Sequence, residues 1–562
     1  FAALPVGPTP EPVAAPHFPD RVHAFVWRNW QLVPAKDMAR VLGTSADNVL
    51  RTGKAMGLNG PPAITKEQRQ RSYITVIRRN WHLLPYDQML DLLGWSEDEL
   101  AYTLREDDFL YVKLGLLKPK CGPLKWVGPG DAARAREAAI ALTVKQNFPD
   151  GAGQLEEPFF GFVSELSKTG VDAHADYESS KASPRFCYSY FALYGDAFMD
   201  GAPDPFPDGY LSRLAASGVN AVWLQAVLYK MAPFPWDPTL SAGHEQRLKN
   251  LNALVERAKS HGMGVYLNLN EPRAMPLAFF EKNSELKGAV KNEHAALCTS
   301  TPAVQQYIAS SVALICENAP NLAGFFTITA SENLTNCWSH GNGANCPQCS
   351  KRAPDAVIAE VNALVQAGIK MSSGAQRLIA WDWGWGDAWA EAAIRRLPSE
   401  VAHMSVSEWS IPITRGGIAN TVGEYSISTI GPGPRATKLW NAAKDRPKPL
   451  RTIAKIQANT TWECGSMPYI PAVANVATHM ENLRSARVNG VMLGWTLGGY
   501  PAPNLEVAGK MISEPNLGAA DAMLSVAQLR FGQPSAAQVV EAWKMCSVAF
   551  SEYPYDNGGL YS

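Results

Sequence analysis

The chain of 562 residues has no charge excess, no long apolar run and no coherent cysteine framework, and each absence narrows what it can do. Fifty-one basic residues stand against 52 acidic ones, for a net charge of -1. No global field therefore draws in nucleic acid or an anionic surface, and binding must come from a local site. No stretch approaches the roughly 20 apolar residues of a membrane span. The cysteines number nine and are scattered, apart from Cys337, Cys346 and Cys349. An odd, dispersed set implies no complete disulfide framework. Histidine is scarce, and His244, His294 and His403 stand in no motif, so each reads as a hydrogen-bonded structural residue.

What is present suits a large globular protein. Hydrophobic residues make up 46% and charged residues 18% of the chain, with a mean hydropathy of -0.14. The length exceeds what one compact core organises, so a catalytic domain with accessory regions is expected. Seventeen Trp and eighteen Tyr supply rigid aromatic faces of the kind sugar rings stack on. The chain starts at Phe1 and runs through a Pro-rich stretch, Pro5 to Pro19, which reads as a spacer left after removal of an export signal. A secreted, periplasmic or envelope-associated location is the expectation, with the cytoplasm as the alternative.

An internal repeat organises the first region. Val26-Trp27-Arg28-Asn29-Trp30 is echoed at an offset of 51 residues by Ile77-Arg78-Arg79-Asn80-Trp81, and Met38 through Ser45 is echoed by Met89 through Ser96. Each copy reads as a helix, a Gly turn and a second helix capped by Ser45 or Ser96. That is the outline of a helix-turn-helix. The second helices, Ala46 to Leu50 and Glu97 to Glu106, are acidic or neutral where a DNA-reading helix needs basic and amide side chains. Nucleic acid is thus an unfavoured partner, and Trp30, Leu32, Leu42, Val49, Trp81, Leu83, Leu93 and Leu100 read as core.

From Pro184 the pattern changes to apolar runs alternating with amphipathic helices. Eight runs can be counted: Arg185 to Tyr194, Ala221 to Leu228, Gly264 to Asn270, Ala323 to Thr329, Arg377 to Trp383, Ala402 to Glu408, Thr452 to Thr460 and Gly490 to Trp495. Eight strands in β/α order predict an α/β fold, a (β/α)8 TIM barrel. A doubly wound open sheet is disfavoured, because Tyr194-Gly195-Asp196-Ala197 offers no Gly-rich phosphate turn. The expected organisation is a Pro-rich segment over 1–20, a helical repeat region over 21–125, a linker and helix over 126–183, the barrel over 184–505 and a helical cap over 506–562.

In such a barrel the chemistry gathers where the strands end. Acids stand at five of those ends: Glu271, Glu332, Asp382, Glu408 and Glu463. Trp381, Trp383, Trp385, Trp409, Trp462 and Trp495 interleave with them. Glycoside hydrolysis needs two carboxyl groups flanking an oxocarbenium-like centre and a surface to seat the sugar. On these residues the barrel resembles the clan A retaining glycosidases. The resemblance implies Glu332, closing strand four, as acid/base, and Glu463, closing strand seven, as nucleophile. It also implies Trp495 as a wall of the subsite nearest cleavage. The usual Asn before the acid/base is here Ser331. Glu271, Asp382 and Glu408 are then assigned to sugar hydroxyls through charge-assisted hydrogen bonds, and Arg273 to orienting a carboxylate.

The segment from Ser331-Glu332-Asn333 through Cys337 to Cys346-Pro347-Gln348-Cys349 also resembles a family that includes endo-acting β-N-acetylglucosaminidases, which implies N-acetylhexosamine glycans as substrate. The rival retaining mechanism uses the substrate's own acetamido group, with Glu332 and either Asp382 or Glu408. A sialidase-like enzyme, with Arg273 or Arg415 meeting a substrate carboxylate, stays open. So does a non-catalytic carbohydrate-binding or sensor protein. No cofactor is required for catalysis, and oligosaccharide or glycoconjugate is the expected partner. Cys337, Cys346 and Cys349 with His340 have the ligand types and spacing of a structural zinc site.

Overall fold

The computed structural model describes residues 4–61, 63–107, 110–151, 160–192, 195–331, 333–372, 374–465, 467–496 and 498–555. The chain forms two compact units, one of Phe1–Glu165 with Leu193–Asp196, the other of Leu166–Ala192 with Ala197–Ser562.

In the first unit each repeat copy contains three helices, one more than the sequence pattern suggested. They are Arg21–Asn29, Ala35–Leu42 and Ala46–Ala55, then Tyr73–Asn80, Tyr86–Leu93 and Glu97–Glu106. The extra helix is the Trp-rich segment itself. Ser45 and Ser96 cap the third helix of each copy as expected, and Ser96 forms a full capping box with Glu99. Equivalent residues of the two copies meet. The side-chain amide of Asn29 donates to Asn80 Oδ1, and that of Asn80 donates to Asn29 Oδ1, both at 2.8 Å. Arg28 and Arg79 likewise exchange bonds with each other's backbone carbonyl. Such reciprocal contacts are the mark of two-fold packing. The duplicated helices bury Trp30, Trp81, Leu32, Leu83, Val49 and Leu100 in one core.

The second unit is a closed parallel barrel of eight strands. Strands one to eight are Arg185–Tyr188, Ala221–Ala226, Gly264–Leu269, Gly324–Ile328, Arg377–Trp381, Ala402–Val406, Thr452–Lys455 and Gly490–Met492. Each falls within the run expected of it. Each pairs with its sequence neighbour, and the first closes on the eighth through Phe186 opposite Met492. Their residues are buried on both sides, as strands lined by helices outside and side chains inside must be. A helix follows every strand, and Pro302, Pro354, Pro434 and Pro503 begin four of them, where a missing N–H costs nothing. The last two described helices are Ala519–Phe531 and Gln533–Phe550. No described helix is long and apolar enough to cross a membrane.

Aromatic side chains fill the barrel. Phe186 lies 5.3 Å from Tyr266 and 5.7 Å from Phe326, ring centre to ring centre, and Trp223 stacks at 4.6 Å on Trp495. Trp381 adds an edge contact with Trp495 at 5.3 Å. Trp495 is therefore engaged with the barrel's own packing.

Candidate active site

The strand ends carry a polar layer held in place by strands three to seven. Glu332 lies outside the described residues, whereas Ser331 and Asn333 on either side of it are described. Ser331 Oγ accepts from the Asn270 amide at 2.8 Å and from the Asn333 N–H at 3.2 Å. That links the ends of strands three and four. Trp385 donates to Thr329 Oγ1 at 2.9 Å, linking four to five. The turn between Trp383 and Trp385 depends on Gly384 at φ 74°, where a Cβ would sit 1.8 Å from the Ala330 carbonyl oxygen. Only glycine lets strand five approach so closely.

The remaining acids sort by what holds them. Glu271 accepts from the N–H of Leu228 at 2.9 Å and of Arg273 at 3.0 Å. It braces the loop after strand three and keeps Arg273 Nε 3.8 Å away. Asp382 is fully buried. It accepts from Ser405 and pairs with His403 Nε2 at 3.0 Å, and Arg435 lies 3.3 Å from its other oxygen. Burial works to raise its pKa, but Arg435, His403 and Ser405 together outweigh it and hold the carboxyl below its ordinary value. Arg435 in turn sits 5.7 Å over the Trp409 ring.

Glu463, in the short turn Trp462–Cys464, is saturated. Its oxygens accept from Ser426 Oγ at 2.9 Å, the Ile427 N–H at 2.8 Å, the Ser428 N–H at 3.3 Å, Thr461 Oγ1 at 3.0 Å and Ser428 Oγ. Five donors meet about four acceptor positions. Glu408 differs. It is fully buried, one oxygen accepts a long contact from the Ser426 N–H at 3.4 Å, and Oε2 has no hydrogen-bond partner among the described residues. Burial pushes its pKa up to about 7, opposed by Lys455 and reinforced by Glu424.

Two residues of this cluster were missed from the sequence. Glu424 accepts from Trp383 Nε1 and lies 3.4 Å from Lys455 Nζ. Lys455 projects from strand seven, wholly buried, 4.2 Å from the Tyr425 ring centre. Glu424 belongs to the long segment after strand six, not to a strand end. Lys455 carried the one available signal, a charge inside an otherwise apolar strand. The aromatic rim consists of Trp383 and Trp409, at 6.4 Å, and of Tyr425 and the exposed Trp462, at 5.6 Å. Arg415 points elsewhere, donating to the Tyr553 and Ser428 carbonyls. A cavity of about 380 Å³ lined by His174, Asp176, Arg185 and Glu506 opens beside the start of strand one. That end of a barrel serves stability, not chemistry.

The expected zinc ligand set needs one correction. Among the described residues, the group that could hold a metal is Cys298, Cys337, Cys346 and Cys349, all buried, with sulfur atoms within 4.8 Å of one another. His340 is not among them; its ring lies 3.2 Å from Lys291 Nζ. Cys298 is 39 residues before Cys337 and ends a different loop, so no spacing motif could reveal it.

No family model matches the sequence, and no curated protein matches it. Among solved structures, the chain is similar to a GH138 enzyme targeting pectin rhamnogalacturonan II, with 11% identity and TM-score 0.41 over 75% of this chain and 48% of that one. A family 89 glycoside hydrolase from Clostridium perfringens in complex with 2-acetamido-1,2-dideoxynojirmycin shows 13% identity and TM-score 0.42 over 67% of this chain and 42% of that one. A GH5-4 broad specificity endoglucanase from an uncultured bacterium shows 11% identity and TM-score 0.37 over 65% of this chain and 98% of that one. The chain spans less than half the length of the first two. The chemistry of the strand ends, not these likenesses, carries the function.

Proposed function

We propose that this chain is a glycoside hydrolase acting on glycans that contain 2-acetamido sugars, with Glu332 as acid/base and Glu408 as the assisting carboxyl group. One observation carries the reading: buried Glu408 Oε2 has no partner among the described residues and its pKa is pushed up to about 7, whereas Asp382 Oδ1, which also accepts no hydrogen bond, faces Arg435 at 3.3 Å. A group poised there accepts and returns a proton efficiently at neutral pH. Glu463, by contrast, has its acceptor positions filled by the chain's own donors, which suits a loop anchor better than an attacking nucleophile.

In this mechanism Glu332 gives its proton to the glycosidic oxygen as the bond to the anomeric carbon breaks. The substrate's acetamido oxygen attacks that carbon, and Glu408 takes the acetamido N–H proton. Water then attacks the anomeric carbon, losing its proton to Glu332, while Glu408 returns the proton to nitrogen. The product keeps its configuration. Trp383, Trp409 and Trp462 offer the faces on which sugar rings stack. Asp382 acts at one remove, fixing Arg435 beside Trp409.

The test compares an aryl 2-acetamido-2-deoxy-β-glucoside with the matching aryl β-glucoside. The proposal expects turnover of the first only, with E408Q lowering its kcat by about 100-fold or more and E463Q acting through stability. Equal turnover of both sugars, with E463Q inactive but folded, would move the reaction to direct displacement by Glu463.

A further inference from the structure

We propose that Cys298, Cys337, Cys346 and Cys349 bind one zinc ion in a closed tetrahedral thiolate site that staples the loop after strand four to the antiparallel hairpin of Lys287–Lys291 and His294–Leu297 after strand three. The geometry is that of ligands around a shared atom. Cys298 Sγ lies 3.7 Å from both Cys346 Sγ and Cys349 Sγ, and all four sulfurs fall within 4.8 Å of one another. Four sulfurs each about 2.3 Å from zinc stand about 3.8 Å apart at the corners of a tetrahedron. A disulfide would bring one pair to about 2.05 Å and leave the others out, and all four cysteines are free thiols. A multi-iron cluster interposes iron and sulfide between its thiolates and spreads them further than one atom does.

The surroundings are built for thiolates. The Ala289 N–H points at Cys337 Sγ at 3.4 Å, and Ser300 Oγ lies 3.2 Å from Cys349 Sγ. Arg352 donates to that same Ser300 Oγ at 2.6 Å, placing a cation beside the group. Such outer contacts orient ligands and offset the negative charge of four thiolates. The hairpin also makes room for the sulfur: a Cβ at Gly288 would stand 2.6 Å from Cys337 Sγ.

The mechanical consequence follows from where the ligands sit. Cys298 follows the hairpin strand His294–Leu297, whereas Cys337, Cys346 and Cys349 lie in the segment between strand four and the helix Pro354–Met371. That segment has little apolar material of its own. Its cluster consists of the four cysteines with Ala289, Ala296 and Leu334, flanked by Ala274 and Trp338. A core so small needs a cross-link to hold its shape. From Cys337 the path to the strand end is one residue long, because the Asn336 amide donates to the Thr329 carbonyl. Four protein ligands leave no open position, so the ion is structural and takes no part in hydrolysis.

The decisive experiment measures metal in the purified full chain by plasma mass spectrometry, alongside C298S, C346S, G288A and H340A. The inference expects about one zinc per chain in wild type and H340A, and at least a tenfold loss in C298S and C346S. G288A should release zinc to a colorimetric chelator faster than wild type. Zinc loss should open residues 333–350 to limited proteolysis, a readout that does not depend on any hydrolytic activity. A metal-free wild type purified without chelator, zinc retained in C298S, or stoichiometric iron in place of zinc would each overturn it. If every variant fails to fold, the wild-type metal content and its release by a mercurial still decide the matter.

Discussion

Replacing Glu408 by Gln separates a carboxyl group kept for chemistry from one kept for stability. Burial moves its pKa from 4.5 to about 7, so between those values the folded protein holds a proton that the unfolded chain releases. Stability attributable to Glu408 therefore falls as pH rises through that window, and the loss is complete above about 7. A pKa moved from 4.5 to about 7 corresponds to about 3 kcal/mol as an upper bound. Gln keeps the shape and is neutral at every pH, but it removes one of the two carboxylates facing Lys455, which reduces the gain. The expected outcome is that E408Q unfolds at higher urea than wild type near pH 8, by about 1–3 kcal/mol, with the difference vanishing near pH 5. Urea titrations across that range, followed by tryptophan fluorescence, supply the assay. A stability difference independent of pH would refute the burial argument, and E408Q less stable than wild type at pH 8 would make Glu408 a structural ion-pair member.

In the repeat unit, N80A removes one half of the reciprocal pair, so buried Asn29 Oδ1 loses the Asn80 donor and the Asn29 amide is left with the Phe25 carbonyl as acceptor. A loss of about 1–3 kcal/mol is expected, and the N29A/N80A double variant should lose less than the sum of the singles. His23, between Asp20 at 2.7 Å and Glu137 at 2.9 Å, has its pKa raised: burial opposes the charged form, but hydrogen bonds to both carboxylates prevail. Its contribution is present below the ordinary histidine value and disappears as pH rises through the raised one. H23Q should therefore lower the melting temperature of a 1–165 fragment more near pH 6 than near pH 8, provided circular dichroism shows the fragment to be helical.

How far the sequence could be read depended on whether the signal was periodic. Strand positions were legible because parallel strands buried on both faces are short continuous apolar runs, and Ala221–Ala226 or Gly324–Ile328 look like nothing else. Repeat copies were legible because their offset is constant, down to Asn29 and Asn80 meeting each other. Side-chain partnerships across loops were not. Nothing near Glu463 in sequence shows that Ser426, Ile427 and Ser428 will surround it, and nothing near Cys337 points to Cys298. Glu424 and Lys455 escaped for a related reason: one lies within a long inter-strand segment, and the other sits inside a strand where a charge has meaning only once Glu408 and Glu424 are brought opposite it.

The central claim, hydrolysis of a glycosidic bond at the ends of strands four and six, is tested most directly by initial rates on a broad aryl-glycoside panel that includes 2-acetamido sugars, with wild type and E332Q side by side. The account predicts turnover by wild type and a loss of about 100-fold or more in E332Q, with affinity for the sugar product unchanged by calorimetry. A wild type that binds sugar but cleaves no member of the panel, or an E332Q variant as fast as wild type, would contradict it.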